Sequence, residues 1–219
     1  MKLRDLMFVL PNLFTVSSIF CGFYAMTLCT GEAGPTQLYQ AALAIFFGIF
    51  FDGFDGRVAR LTKTQSMFGQ ELDSLADVIS FGVAPAILVY KWALQGLGFI
   101  GLFAAFTFAA CGALRLARFN VLAIRSPHGG ASRFFVGMPI PLAACGVISM
   151  IIAFQNARGG TLPENARWPV FGVVLFLAAL MVSTVRYRTF KDVRLSKKSA
   201  FVLMSILAGG VAVAMSVSK

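Results

Sequence analysis

Seven apolar runs, each close to the length of a membrane-spanning helix, alternate with short polar connections along the chain. They cover roughly residues 8–29, 38–61, 71–92, 96–118, 136–155, 168–186 and 199–217. About 20 apolar residues cross the hydrocarbon core as a helix, and such a helix satisfies its own backbone hydrogen bonds. The sequence therefore predicts an all-α fold, a polytopic membrane helix bundle.

The composition excludes a soluble domain. Of 219 residues, 58% are hydrophobic and 13% are charged, and the mean hydropathy is +0.80. A soluble domain cannot bury that much apolar surface. The first run follows Lys2 and Arg4 but is longer than the apolar part of a usual signal peptide, so we interpret it as an uncleaved helix.

The basic residues predict the orientation of the bundle. If the N-terminus is cytosolic, 15 of the 19 lysines and arginines lie on cytosolic segments. The four on the other side are Lys91, Arg158, Arg167 and Lys219. This is the bias of the positive-inside rule, and it accounts for most of the net charge of +10 without a nucleic-acid partner.

One stretch, residues 51–82, concentrates the acidic groups of this basic chain. It holds five of the nine acidic residues, namely Asp52, Asp55, Glu71, Asp73 and Asp77. Asp52 and Asp55 are three residues apart and Asp73 and Asp77 are four apart, so each pair shares a helix face. About ten polar residues join the two runs. We therefore expect the four aspartates to meet just inside the cytosolic face, where ionisable groups are costly and usually functional.

Four neighbouring carboxylates cannot all be ionised unless a cation lies among them. Hard oxygen ligands of this kind suit Mg²⁺ or Mn²⁺, and two such ions could clamp a phosphate during displacement. Gly56 would let a substrate approach Asp55 closely, and Arg60 would supply a cation one turn on. The alternative is that the small residues here only permit tight helix packing.

The spacing of these residues resembles a known signature. The pattern Asp52-x2-Asp55-Gly56-x2-Ala59-Arg60-x8-Gly69-x3-Asp73-x3-Asp77 is similar, at all eight defined positions, to that of the CDP-alcohol phosphatidyltransferases. The resemblance implies a six-helix membrane core that is usually a homodimer. It also implies transfer of a phosphatidyl group from CDP-diacylglycerol to an alcohol, with release of CMP.

The resemblance also assigns roles to individual positions. It implies that two divalent cations bind Asp52, Asp55, Asp73 and Asp77, with Asp77 also the general base. Positions similar to the family's donor-binding residues are Asn12, Thr15, Gly56, Arg60 and Ser66. One extra C-terminal helix would follow the core, so we expect a catalytic domain over 1–191, with a basic linker and a last membrane helix over 192–219.

Segments outside the signature resemble the branch of this family that uses L-serine as acceptor. They are Leu10–Phe23, Ser74–Ala86, Leu114–Val121, Phe134–Ala144 and Met181–Lys191. The resemblance implies a bacterial-type inner membrane, with the active site cytosolic. It does not rule out another acceptor, such as glycerol 3-phosphate or inositol phosphate.

A serine carboxylate needs a cationic partner, and the end of the fourth run offers one. Arg118 with Asn120 is the preferred anchor, and Arg133, beside the glycine-rich loop at 126–132, is a second candidate. The alternative is that these arginines only bind lipid phosphates at a helix end.

Two other classes of membrane protein use intramembrane carboxylates. A prenyltransferase would carry two acidic motifs on well-separated helices, whereas this chain has a single cluster within 26 residues. A cation transporter would place carboxylates near the bilayer midplane on broken, repeated helices. The interfacial position expected here favours neither class.

Overall fold

The computed structural model describes residues 3–62, 66–125, 134–159, 162–184 and 186–188. Its α-helices are α1 (Leu3–Leu28), α2 (Pro35–Thr62), α3 (Met67–Asp77), α4 (Ala84–Val89), α5 (Phe99–Arg125), α6 (Ile140–Arg158) and α7 (Arg167–Val182). Two short strands, β1 (Phe134–Val136) and β2 (Arg186–Arg188), pair antiparallel.

α3 and α4 belong to one continuous helix, Met67–Leu97, which we call the central helix. A π-helical segment, Val78–Val83, joins them. A second π-helical segment, Tyr90–Leu94, and the 3₁₀ turn Gln95–Leu97 complete it. The described residues thus form six long helices, as the all-α prediction requires.

Four of these helical segments are long and apolar enough to cross a membrane. They are Met67–Leu97, Phe99–Leu122, Ile140–Ala157 and Glu164–Val182, and Asn12–Leu28 is a shorter apolar stretch. Large apolar side chains cover the outer surface, and more than half of Phe20, Phe106 and Phe176 is exposed. Such a surface is stable in lipid and not in water. The prediction of a membrane helix bundle is confirmed.

The central helix lies inside the bundle. Half of its most apolar window (50%) is buried, against 28–39% for the other three spans. It packs against α1, α2, α5, α6 and α7. A group on this helix is therefore held from several sides.

The π-helical segment has a local cause in Pro85. Proline lacks the N–H that would bond the carbonyl of Phe81, and its ring would collide with that carbonyl in a regular α-helix. The helix widens instead, and the N–H of Ala84 bonds the carbonyl of Ile79, five residues back. This widening begins directly after Asp77, so the carboxylate lies at the boundary between two helix geometries.

Helix α1 approaches this π segment very closely. The Ser80 hydroxyl donates a buried hydrogen bond to the carbonyl of Ser18, at 2.9 Å. A Cβ atom added at Gly22 would lie only 2.7 Å from the Ser80 Cα atom. The absence of a side chain at Gly22 therefore permits the contact between α1 and the central helix.

The connection between α2 and the central helix is shorter than the sequence analysis expects. α3 begins at Met67, four residues before the expected start near 71. The reason is an N-cap, because the Ser66 hydroxyl oxygen accepts a hydrogen bond from the Gly69 N–H at 3.0 Å. The prediction of a ten-residue polar connection is therefore wrong.

Several further helix ends also differ from the expected spans. α5 continues to Arg125 and not to about 118, because no glycine or proline interrupts it. α6 begins at Ile140 and not near 136, after Pro139 and after Gly137 with its φ of 81°. α7 ends at Val182, and the residues up to 188 include β2 where a helix was expected to 186. The predicted last helix, 199–217, lies outside the described residues.

We expect Gly22→Ala to destabilise the bundle, because the new methyl group would meet backbone atoms of Ser80. Overpacking of this kind should lower the thermal midpoint by roughly 2–12 °C. The midpoint can be followed by circular dichroism in detergent. Gly172→Ala on α7 is the matched control, since no atom of another described segment lies within 4 Å of its added Cβ. An unchanged midpoint for Gly22→Ala would contradict the close packing.

Candidate active site

Helices α1 and α2 are joined by a buried hydrogen bond. The Thr15 hydroxyl donates to Asp55 Oδ2 at 2.8 Å. Both side chains are buried, with 3% of Thr15 and 6% of Asp55 exposed. A hydrogen bond to a buried carboxylate restricts its rotation, so Thr15 fixes one oxygen of Asp55.

The aspartates of α2 and α3 form one cluster. A carboxylate oxygen from each of Asp52, Asp55 and Asp73 lies within 4.8 Å of the other two. The side chain of Asp52 also lies within hydrogen-bonding reach of Asp77. Helix periodicity explains the arrangement, because each pair projects from one face of its own helix towards the other.

Two oxygens of this cluster lack a hydrogen-bond partner among the described residues. Asp52 Oδ1 and Asp77 Oδ1 are buried and accept no hydrogen bond from any described residue. A buried carboxylate oxygen without a partner is costly. The donor set and these two oxygens fit a divalent cation that prefers oxygen ligands. Glu71, the fifth acidic residue of the stretch, is exposed.

A single buried arginine lies beside the cluster in the described part of the chain. Arg115 on α5 is only 8% exposed and interacts electrostatically with Asp77. Its Nε atom has no hydrogen-bond partner among the described residues, and its guanidinium lies 5.6 Å from the centre of the Phe119 ring. The arrangement keeps a positive charge next to the carboxylates.

Arg118, which the sequence analysis prefers as the acceptor anchor, is exposed on the same helix. Arg115, three residues earlier on this helix, is buried instead. Phe108, Gly112 and Arg115 follow each other at helical spacing, and all three lie on the buried face of α5.

Asn120 forms a hydrogen bond with a residue of another helix. Its amide nitrogen donates to Ser74 Oγ at 3.1 Å, which links α5 to α3. Arg133 and the side chain of Arg60 lie outside the described part of the structure.

The residues that the family resemblance assigns to donor binding lie around the same end of the bundle. A Cβ atom at Gly69 would lie 3.5 Å from Asn12 Oδ1, so Asn12 reaches the first turn of α3. Ser66 caps that turn and is exposed. Among the described residues, no atom from outside this part of α2 lies within 4 Å of the position of a Cβ at Gly56, which leaves open space next to Asp55.

Chemically, this arrangement can hold divalent cations and a phosphate-bearing ligand. It combines hard oxygen ligands, a carboxylate with a free oxygen and a nearby guanidinium at one end of an apolar bundle. A ligand with a lipid tail could leave its chains in the membrane and its phosphates at the aspartates.

Comparison with known proteins gives consistent results. Residues 8–185 match the CDP-alcohol phosphatidyltransferase family. Three relatives are each named CDP-diacylglycerol–serine O-phosphatidyltransferase. The Helicobacter pylori J99 protein is 39% identical over 200 residues, covering 91% of this chain and 80% of its own. The Bacillus subtilis protein is 40% identical, covering 83% and 91% respectively, and the Saccharomyces cerevisiae protein is 39% identical, covering 72% and 57%.

We expect Thr15→Ala to weaken binding of a divalent cation by roughly tenfold, because groups that orient a ligand commonly contribute 10- to 100-fold to affinity. Titration with Mn²⁺, followed by electron paramagnetic resonance of the free ion, measures this affinity in detergent. Thr15→Ser keeps the hydroxyl and should bind normally. Thr107→Ala is the matched control, since that hydroxyl bonds only the Phe103 carbonyl of its own helix in the described structure. Unchanged affinity in Thr15→Ala would contradict the role of this hydrogen bond.

Proposed function

The chain belongs to the CDP-alcohol phosphatidyltransferase family, and from this premise we propose that it transfers the phosphatidyl group of CDP-diacylglycerol to L-serine. The products are phosphatidylserine and CMP. The observation that carries the chemistry is the carboxylate cluster formed by Asp52, Asp55 and Asp73 within 4.8 Å. The choice of serine as acceptor is supported by the names of relatives at 39–40% identity.

Two divalent cations, Mg²⁺ or Mn²⁺, would be held by Asp52, Asp55, Asp73 and Asp77. The free oxygens of Asp52 and Asp77 support this proposal, because they offer ligand atoms that the described residues leave unused. When bound, such ions neutralise charge on the diphosphate and favour departure of the leaving group.

Asp77 is the general base of the proposed reaction. It lies one helical turn beyond Asp73, at the start of the π segment, with Arg115 beside it. Asp77 takes the proton of the serine hydroxyl while the serine oxygen bonds the phosphorus next to the diacylglycerol. The bond from that phosphorus to the CMP oxygen breaks at the same time. A single displacement of this kind inverts the configuration at phosphorus.

The donor's nucleotide would lie between α1, α2 and the first turn of α3. The open space at Gly56 would admit its phosphates close to the backbone. Asn12, Thr15, Arg60 and Ser66 stand on positions that resemble the family's donor site. The diacylglycerol chains would remain among the exposed apolar side chains of the bundle.

The acceptor's carboxylate would bind at the cytosolic end of α5. Arg118 is exposed there and can reach a ligand in solution, and Arg133 on the following loop is a second candidate. We also propose a homodimer in a bacterial-type inner membrane, with the N-terminus and the active site cytosolic. The distribution of basic residues supports this orientation.

The main alternative is the same reaction with glycerol 3-phosphate or inositol phosphate as acceptor. We expect the purified protein, supplied with CDP-diacylglycerol and Mg²⁺ or Mn²⁺, to release CMP with L-serine and not with the other two. Chromatography of the nucleotide product measures this. Turnover with another acceptor alone would overturn the serine assignment, and release of diphosphate from a prenyl donor would indicate a prenyltransferase.

We expect Arg118→Ala to raise the KM for serine by roughly 10- to 100-fold and to leave the KM for CDP-diacylglycerol nearly unchanged. The reason is the loss of a charge-assisted hydrogen bond, worth about 1.5–3 kcal/mol. Steady-state kinetics with each substrate varied in turn separates the two constants. Arg57→Ala, which removes another exposed arginine at the end of α2, is a comparison variant. A rise in the donor KM alone would assign Arg118 to the donor site.

A further inference from the structure

A polar link between the central helix and α5 lies directly beside the aspartate cluster. Asn120 Nδ2 donates to Ser74 Oγ at 3.1 Å. The Ser74 hydroxyl in turn donates to the Gln70 carbonyl at 3.1 Å. Its distance to Asn120 Oδ1 is 3.5 Å, which is long for a hydroxyl hydrogen bond. Ser74 therefore accepts from α5 and donates within α3.

This hydrogen bond joins residues that are close in sequence to the aspartates and to Arg115. Ser74 immediately follows Asp73 and precedes Asp77 by three residues, while Asn120 lies five residues after Arg115. α5 packs extensively against the central helix from Val78 onwards, whereas its contacts with α3 are sparse. Near the cluster, the described structure thus holds α5 to α3 mainly through this hydrogen bond.

We propose that Ser74 and Asn120 are a pair of positioning residues that fix the cytosolic end of α5 against α3. The inference rests on the proposed function, because it concerns the same site. Without the link, the end of α5 can swing about its packed part, and the Arg115 guanidinium loses its fixed place beside Asp77. Asn120 then acts through α5 and not as a ligand of the acceptor.

A matched pair of substitutions at Ser74 tests the link. Ser74→Thr and Ser74→Val are both β-branched and nearly equal in volume, but only threonine keeps the hydroxyl. We expect Ser74→Val to lower kcat/KM for serine by about fivefold, the effect of one ordinary hydrogen bond, and Ser74→Thr to retain most of it. Ser149→Ala, which removes a hydroxyl that bonds only within α6 in the described structure, is the control.

A double-mutant cycle separates the positioning role from a ligand role. Asn120→Ala should lower kcat/KM for serine as much as Ser74→Val does. The double variant should lower it no further than either single variant, because all three break the same hydrogen bond. Additive losses, or a rise in the serine KM for Asn120→Ala with Ser74→Val unaffected, would overturn the proposal and make Asn120 a ligand.

A distance measurement gives a result that does not depend on turnover. Nitroxide amino acids at the exposed positions Glu71 and Leu122 report the separation of α3 and α5 by electron-electron double resonance. We expect a narrow distribution in the parent protein and Ser74→Thr, and a broader one in Ser74→Val and Asn120→Ala. Equal widths in all four would overturn the proposal. Absence of serine-dependent CMP release from the parent protein would instead overturn the proposed function.

Discussion

Mutual repulsion among carboxylates inside an apolar bundle is the constraint on which the rest of this structure depends. One carboxylate oxygen from each of Asp52, Asp55 and Asp73 lies within 4.8 Å of the other two. At such distances in a poorly screened site, their negative charges destabilise the fold unless a cation offsets them. The carboxylate cluster therefore lowers the stability of this end of the bundle. This is typical of a functional site, since ionisable groups in membrane helices are otherwise rare.

Contacts with the central helix and its neighbours fix the positions of these carboxylates. Pro85 causes the π segment that starts after Asp77, and Gly22 lets α1 pack against that segment through Ser80. Thr15 fixes Asp55 from α1, and Asn120 holds α5 at Ser74. Short-range polar contacts from α1 and α5 thus hold the helices that carry the aspartates. Packing of the apolar surfaces alone would not orient the carboxylates, because it is not directional.

The sequence was sufficient for the helix bundle and for the meeting of the four aspartates, because spacings of three and four residues fix a helix face. It also contained the Ser66 cap, which could have placed the start of α3 correctly. Other features depend on tertiary structure. Pro85 within an apolar run indicates a distortion but not a π segment, and the choice between Arg115 and Arg118 depends on how α5 is rotated against its neighbours. The pairing of Asn120 with Ser74, 46 residues apart, has no local signal.

We propose that the aspartates of α2 and α3 together hold the divalent cations of a phosphatidyl transfer site. Crystals of the protein grown with Mn²⁺, measured at the manganese absorption edge, test it directly. We expect an anomalous peak at bonding distance from carboxylate oxygens of Asp52, Asp55 and Asp73. The absence of a peak there, at a Mn²⁺ concentration that supports serine-dependent CMP release, would contradict it.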